Sequence, residues 1–296
     1  MERRINELIK YCISDSLKDE IPGLDYQLFT MTMRSMLPFE NKIGCKFDED
    51  RYLDEIKTLR YYINGEDKLV INKIKQNSAM TTYDSLLEYK IIPIIIANAI
   101  WENVINEVLK CLVFYTYSKE SILEAIVLSS VLHEYIENSC VDKGILHSIT
   151  KQRLIEFSIK DFFQDNFDTA IKNTYNVSFE RERIMHLMKD NILENDMFSD
   201  KRITNYILNE ASNNNDIIAD ANISNLLNLS SYLYKLRKGV VDPRKIKYIS
   251  SANVELKPNI IQGNFIHPIL GKCLVIQRTE NEAIVKTKTG NIRVRV

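Results

Sequence analysis

Apolar residues in the first part of the chain recur at three- and four-residue steps. Ile5, Leu8, Ile9, Cys12, Ile13 and Leu17 share one side of a helix, so residues 2–18 read as an amphipathic α-helix. Glu20-Ile21-Pro22-Gly23 interrupts it. A Met-rich helix is expected from about Tyr26 to Met36, with Pro38 as its stop. Asp48 and Asp50 supply carboxylates to the start of a third helix carrying Leu53, Ile56, Leu59 and Ile63, and Gly65 reads as its C-cap.

The middle of the chain is more apolar. Ile100, Trp101, Val104, Ile105, Val108, Leu109 and Leu112 mark one helix, and Ile122, Ala125, Ile126, Val131 and Ile136 another. Both are apolar over more than half their circumference, so they are expected to be the central, most buried helices. Further helices are expected at about 150–168, 178–194, 200–212 and 222–238, with Asn213, Asn214 and Asn215 as a loop. After Pro243 the period changes to two. Leu274 and Ile276, then Ile284, Val285 and Thr287, then Ile292, Val294 and Val296 alternate with polar residues, and Gly290-Asn291 reads as a hairpin turn. The expectation is a helical domain over 1–250 and a small antiparallel β module, barrel or meander, over 255–296, separated near Pro258.

Composition narrows the class. Hydrophobic residues make up 45% and charged residues 27% of 296, as in a globular protein with a sizeable core. Net charge is −1, so no global field draws the chain to nucleic acid or anionic lipid. Residues 257–296 carry seven basic side chains against Glu280 and Glu282, which makes them +5 and the remainder −6. A polyanionic partner and a merely solvated sheet face both account for that asymmetry. In either strand near the end, Lys286 and Lys288, or Arg293 and Arg295, share a face, with Ile292, Val294 and Val296 on the packed side. Whether the lysines join the arginines depends on the hairpin register. The five cysteines show no CxxC spacing and read as reduced thiols of a cytoplasmic protein. The Ile91–Ile100 run contains Pro93 and Asn98 and is too short to span a bilayer.

Local motifs with chemistry are few. His133-Glu134-Tyr135-Ile136-Glu137 begins like a HExxH zinc site but has Glu137 where the second histidine belongs. The competing reading is a helix-surface His–Glu pair. No Walker loop, GxGxxG or GxSxG is present.

Separated segments, taken in order, resemble the ADP-ribosylglycohydrolase family. Ile13-Ser14-Asp15-Ser16-Leu17 is similar to its I-G-D-A-L-G opening, and Leu24-Asp25-Tyr26-Gln27 stands where the family has T-D-D-T before a helix. Phe47-Asp48-Glu49-Asp50 resembles its F-D-x-D, Asn77-Ser78-Ala79-Met80 its N-G-A-M loop, and Asp220-Ala221-Asn222 its late D-A-D-T. The resemblance implies a multi-helix bundle of ADP-ribosylglycohydrolase type. In the family these carboxylates and threonine hydroxyls hold two magnesium ions that orient ADP-ribose and the attacking water. Here Asp25 and Asp220 remain, with Asn222 for the second late aspartate, Ile223 for the threonine, and Leu24 and Tyr26 changed in the early motif. A metal role falls on Asp25, Asp220 and Asn222, but two dications against two carboxylates are poorly compensated. Asp15, Asp19 and Asp216 are nearby in sequence. Helix capping explains Asp25 and Asp220 equally well. The expectation is a degenerate relative without efficient hydrolysis and with no cofactor beyond a weak magnesium site, binding a small ligand or protein partner. The alternative is a helical scaffold or regulatory protein whose basic β module contacts protein or nucleic acid. Nucleic acid is the less expected contact, because the module's only aromatic is Phe265, and no membrane contact is expected. His267-Pro268-Ile269-Leu270-Gly271-Lys272 resembles the H-P-x-F-G segment of the Tudor-like barrel that ends some DNA helicases, and His267 reads as structural.

Overall fold

The computed structural model describes residues 1–76, 78–162, 169–189, 192–193, 207, 220–242 and 263–295, with backbone alone at 169–173 and 220–225. Apart from Ile207, the helix expected at 200–212 lies outside these residues, as do the asparagine loop 213–215 and the linker residues 254–262.

Helix α1, Glu2–Ile13, buries Ile5, Leu8, Ile9, Cys12 and Ile13 as its periodicity requires. It ends earlier than expected, and a 3₁₀ turn over Asp15–Leu17 follows. Helix α2, Leu24–Arg34, has the expected length but starts and ends two residues earlier. Its expected last turn is strand β1, Met36–Pro38, paired antiparallel with β2, Cys45–Phe47. This hairpin is held from afar. The Asn98 side chain accepts from Cys45 N at 2.9 Å, and Glu107 accepts from Phe47 N at 2.8 Å. Asp48 caps helix α3, Glu49–Leu59, accepting from Arg51 N at 2.9 Å. Gly65 is not its C-cap. It lies beyond the helix end at φ +135°, where a Cβ would come within 2.9 Å of Leu24 Cβ. Glycine is needed there for a close approach to α2.

Helix α4 spans Lys68–Gln76 and α5 Leu87–Ala97. Every residue of α5 except Tyr89 is buried, so this helix, with Pro93 inside it, is the deepest element. The expectation favoured α6, Trp101–Val113, and α7, Lys119–Asn138. For α7 it holds, but Ile100 at the start of α6 is 45% exposed. Among the described residues, helices α8, Lys143–Glu156, α9, Ile159–Phe162, α10, Thr169–Leu187, and α11, Asp220–Arg237, follow. Helix α5 packs against α2, α6, α7 and α11, and α11 also packs along α1. Among the described residues no helix is long and apolar enough to cross a membrane.

Side-chain contacts fix the helix directions. Arg4 near the start of α1 donates to Tyr135 O near the end of α7 at 2.9 Å, and Ser230 of α11 donates to Asn6 of α1 at 2.7 Å. Arg237, 1% exposed, pairs with Glu137 and donates to the carbonyls of Ile95, Ile96 and Asn98 at 3.1, 2.8 and 2.7 Å. These carbonyls include the orphan acceptors that end α5. The ends of α5, α7 and α11 therefore meet at the start of α1. The end of α2 joins them through Cys45, whose sulfur contacts Met36 and whose amide bonds Asn98. At the opposite end lie the starts of α2, α5, α7 and α11 with the close of α1. There Asp84 N donates to Ser121 Oγ at 2.9 Å, joining the approaches to α5 and α7.

The chain closes in a four-stranded antiparallel meander: β3, Asn264–His267, β4, Gly271–Arg278, β5, Glu282–Thr287, and β6, Gly290–Arg295. Thr287 pairs with Gly290, so the two-residue turn is Lys288-Thr289 rather than Gly290-Asn291. Cys273, Ala283, Val285, Ile292 and Val294 form its buried side. Lys286 pairs with Asn291, whose strand alternates to Arg293 and Arg295, so the lysine does share the arginines' outer face. His267 Nδ1 accepts from Ile269 N and Leu270 N at 3.2 and 3.1 Å and holds the β3–β4 turn.

Candidate functional site at the helix-start end

Asp25 occupies the first turn of α2, where a carboxylate is favoured by the helix dipole. Ser16, in the 3₁₀ turn after α1, donates to Asp25 Oδ2, and Tyr26 N donates to Oδ1 at 2.9 Å. Gly23 leaves room for this carboxylate, since a Cβ there would sit 2.8 Å from Asp25 Oδ1. The segments Ile13–Leu17 and Leu24–Gln27 thus meet in space through Ser16 and Asp25. From α5, Glu88 and Tyr89 reach the same end. Burial first, then the charges of Glu88, Cys12 and Asp25, push the Tyr89 phenol above its ordinary range, so it stays protonated. Neither residue is apparent as a site from sequence. The one signal is charged and polar side chains opening an otherwise apolar helix.

Beneath this surface lies a closed ion pair. Lys90 Nζ donates to both oxygens of Asp84 at 2.8 Å, with side chains 1% and 0% exposed. The ammonium also stands 4.1 Å from the Tyr115 ring centre. Tyr115 OH bonds Tyr52 OH at 2.9 Å. Met80 exchanges backbone bonds with Tyr115 O and Tyr117 N at 2.9 and 2.7 Å, which seats the loop read as N-G-A-M-like beside this pair. Asn77 of that loop lies outside the described residues.

Asp220 and Asn222 stand in the first turn of α11. The antiparallel packing of α11 on α1 brings that turn to the end of the bundle that holds Asp25. Their side chains lie outside the described residues, as do Asp216 and Asn77.

Tyr26, which replaces a carboxylate of the resembled motif, is 3% exposed and points elsewhere. Burial raises its phenol above the usual range, so it remains a donor. Its hydroxyl donates a hydrogen bond to the carbonyl of Thr289 in the β5–β6 turn at 2.5 Å. Arg34, at the other end of α2, binds Glu55 through two bonds of 2.7 Å and donates to Thr289 Oγ1 at 3.0 Å. Arg295 N donates to Tyr61 O at 3.2 Å. The β module is therefore fastened to α2 and to the segment after α3. No family model, curated protein or solved structure matches the chain. The site must be read from its own geometry.

That geometry does not fit a paired magnesium site at its described half. Magnesium takes oxygen ligands in near-octahedral order and favours carboxylates. The single carboxylate from the early motif is engaged by Ser16 and Tyr26 N, and the neighbouring phenol is committed to Thr289. Among the described residues no three His, Cys, Asp or Glu side chains are grouped as metal ligands.

His133 is equally committed. His133 and Glu134 are buried at 8% and 5% exposure, not a surface pair. The Ala99 carbonyl can only accept, so His133 Nε2, 3.0 Å away, carries the proton. Nδ1 then accepts from Arg153 Nη2 at 3.3 Å. Arg153 also bonds Glu134 Oε1 at 2.5 Å and lies 4.0 Å from the Trp101 ring centre. Burial, then the Arg153 charge, lower the His133 pKa against the opposing pull of the Ala99 carbonyl. Both ring nitrogens are thus engaged, and the Arg153 guanidinium beside Nδ1 repels a cation. Glu137, at the second-histidine position, serves Arg237.

Proposed function

We propose that this chain is a cytoplasmic binding protein, a degenerate relative of the ADP-ribosylglycohydrolases that acts without efficient hydrolysis. The bond from Tyr26 to Thr289 carries the reading. At the motif position where the resembled family has a metal-binding carboxylate, this chain has a protonated phenol that anchors the β module. The residue has been turned from chemistry to assembly. The remaining carboxylate, Asp25, can still contribute to a small-ligand site among helix starts, where anions are favoured, and a single weak magnesium is the most such a donor set supports.

The deciding assay is release of ADP-ribose from ADP-ribosylated arginine and serine peptides with magnesium in excess. No release above the uncatalysed rate is expected. Magnesium-dependent release that disappears in Asp25→Ala would overturn the proposal. Calorimetric titration with ADP-ribose, with and without magnesium, separates its two forms. Heat that is lost in Asp25→Ala supports a ligand-binding relative. Its absence supports the second reading, a helical scaffold whose business is to present the basic β module to a partner. The observation favouring that second reading is the firm three-point attachment of the module by Tyr26, Arg34 and Arg295.

A further inference from the structure

The β module has one buried face, formed by Cys273, Ala283, Val285, Ile292 and Val294, and one turned outward. Cross-strand partners share a face, so the pairs Ile266–Lys272, Asn264–Leu274, Leu274–Lys286, Lys286–Asn291 and Ile284–Arg293 define the outer one. Three aliphatic side chains stand exposed on or beside it: Ile266 at 77%, Leu274 at 42% and Ile276 at 49%. Ile276 sits in the irregularity between Val275 and Gln277, where the register of β4 on β5 shifts. Cations flank this stripe. Lys272, Lys286, Arg293 and Arg295 are exposed on the same face, against Glu282, and Lys288 projects from the turn. An open depression of about 1010 Å³ runs over the β3–β4–β5 part, lined by Ile266, Lys272, Leu274, Lys286 and Lys288 among others.

We infer that this outer face docks an acidic protein segment in which carboxylates alternate with aliphatic side chains. The inference rests on the scaffold reading above and names the chemistry of its partner. Charge complementarity selects carboxylates over bases, and the aliphatic stripe selects against a purely polyanionic ligand. Phosphates would use the lysines and arginines but leave Ile266, Leu274 and Ile276 without contacts. Base stacking has a single ring to use: Phe265 is the module's one aromatic, borders the depression, and alternates to the other side of β3 from Ile266. An extended segment laid along the stripe would repeat its side chains every second residue. Its aliphatic residues would fill the depression while its carboxylates meet the flanking cations.

The test uses the full chain and fluorescence anisotropy at physiological salt. The probe is a labelled peptide of alternating glutamate and leucine. Its controls are a peptide with serine for leucine, one with lysine for glutamate, and a DNA duplex. Binding of the first probe alone is expected, weakened about tenfold or more by Leu274→Ser, as loss of one buried aliphatic contact predicts. Lys286→Glu should weaken it comparably. Both sites are exposed, so folding is retained, and Ile184→Ser on α10 should change nothing. Equal binding of the serine peptide, or indifference to Leu274→Ser, would overturn the inference in favour of bulk charge. Tighter binding of the duplex would overturn it in favour of nucleic acid. Self-association abolished by Leu274→Ser would point to a second copy and also overturn it. Silence of every probe overturns it outright. The hydrolysis assay on the same preparation keeps the two proposals apart: activity there refutes the scaffold reading, whereas an inactive chain that ignores the peptide refutes only the docking face.

Discussion

The helical body and the β module use charge in opposite ways. In the body, exposed pairs such as Arg3–Glu7 and Lys18–Asp15 stand beside others that are driven inside and closed off. Lys90–Asp84 is essentially dry, Arg34–Glu55 has side chains 14% and 0% exposed, and Arg237 spans Glu137 and the carbonyls at the end of α5. In the module, charges stay outside. Its one described ion pair, Arg293–Glu282, is 3.7 Å apart, with both side chains about half exposed at 54% and 49%. Buried pairs contribute little net stability relative to a well-packed apolar core, but losing one partner is expensive. They fix which helix end meets which. Exposed cations hold nothing together, so their arrangement over an aliphatic stripe is free to serve something outside the chain.

That contrast is broken most directly in the core. Lys90→Met should lower the unfolding free energy by about 3–5 kcal/mol, because Asp84 would be left buried and uncompensated. Urea titration reads this, and a double change with Asp84→Leu should recover much of it. Equal losses in single and double variants would mean the pair is not the structural unit described. Arg237→Met should cost about 3 kcal/mol, somewhat less because Glu137 keeps 27% of its side-chain surface in water.

Acid gives the next effect. Burial, then Lys189, hold the His186 pKa down to about 4 from an ordinary 6.5. The unfolded chain takes up this proton below pH 6.5 and the folded chain does not until about 4. Stability should therefore fall as pH drops through that window, by on the order of 2 kcal/mol, and level off below it. His186→Gln should flatten the slope, and an unchanged slope would place the responsible group elsewhere.

At the junction of the two regions, Tyr26→Phe should cost about 1 kcal/mol for one hydrogen bond. Its signature is local. Amide exchange should quicken across β5 and β6 while α5 stays protected, and uniform quickening would mean that body and module unfold as one. The smallest effect belongs to the module's surface. Lys286→Ser or Arg293→Ala should shift stability by less than about 0.5 kcal/mol. A larger loss from either would show that the outer charges are structural after all.

Much of the architecture is legible where a signal is local. The stripe of α1, the cap at Asp48 and the two-residue alternation of the last strands all appear in the structure. Signals that depend on distant partners are not legible. The β1–β2 hairpin is held by Asn98 and Glu107, and its three-residue strands are too short to alternate visibly. Helix α5 is apolar all round, so it has no face to read, and Pro93 argues against it locally. Gly65 looked like a helix stop because the approach of Leu24 cannot be seen along the chain. At the candidate site, the meeting of Ser16 and Asp25 follows the quoted segments. The partner of Tyr26 lies 263 residues away and no motif announces it.

The attachment of β6 also has a mechanical side. The strand is tethered at both extremities: its leading turn to α2 through Thr289, and its tail to Tyr61 through Arg295 N. Tension applied beyond Arg295 would load the β5–β6 ladder lengthwise, in shear, so that its bonds resist together rather than peel one by one. A handle placed there in a pulling experiment should meet an abrupt rupture of the strand, and gradual yielding would show that the rear tether gives way first. A segment drawn against the outer face would pull on a sheet already braced along its length.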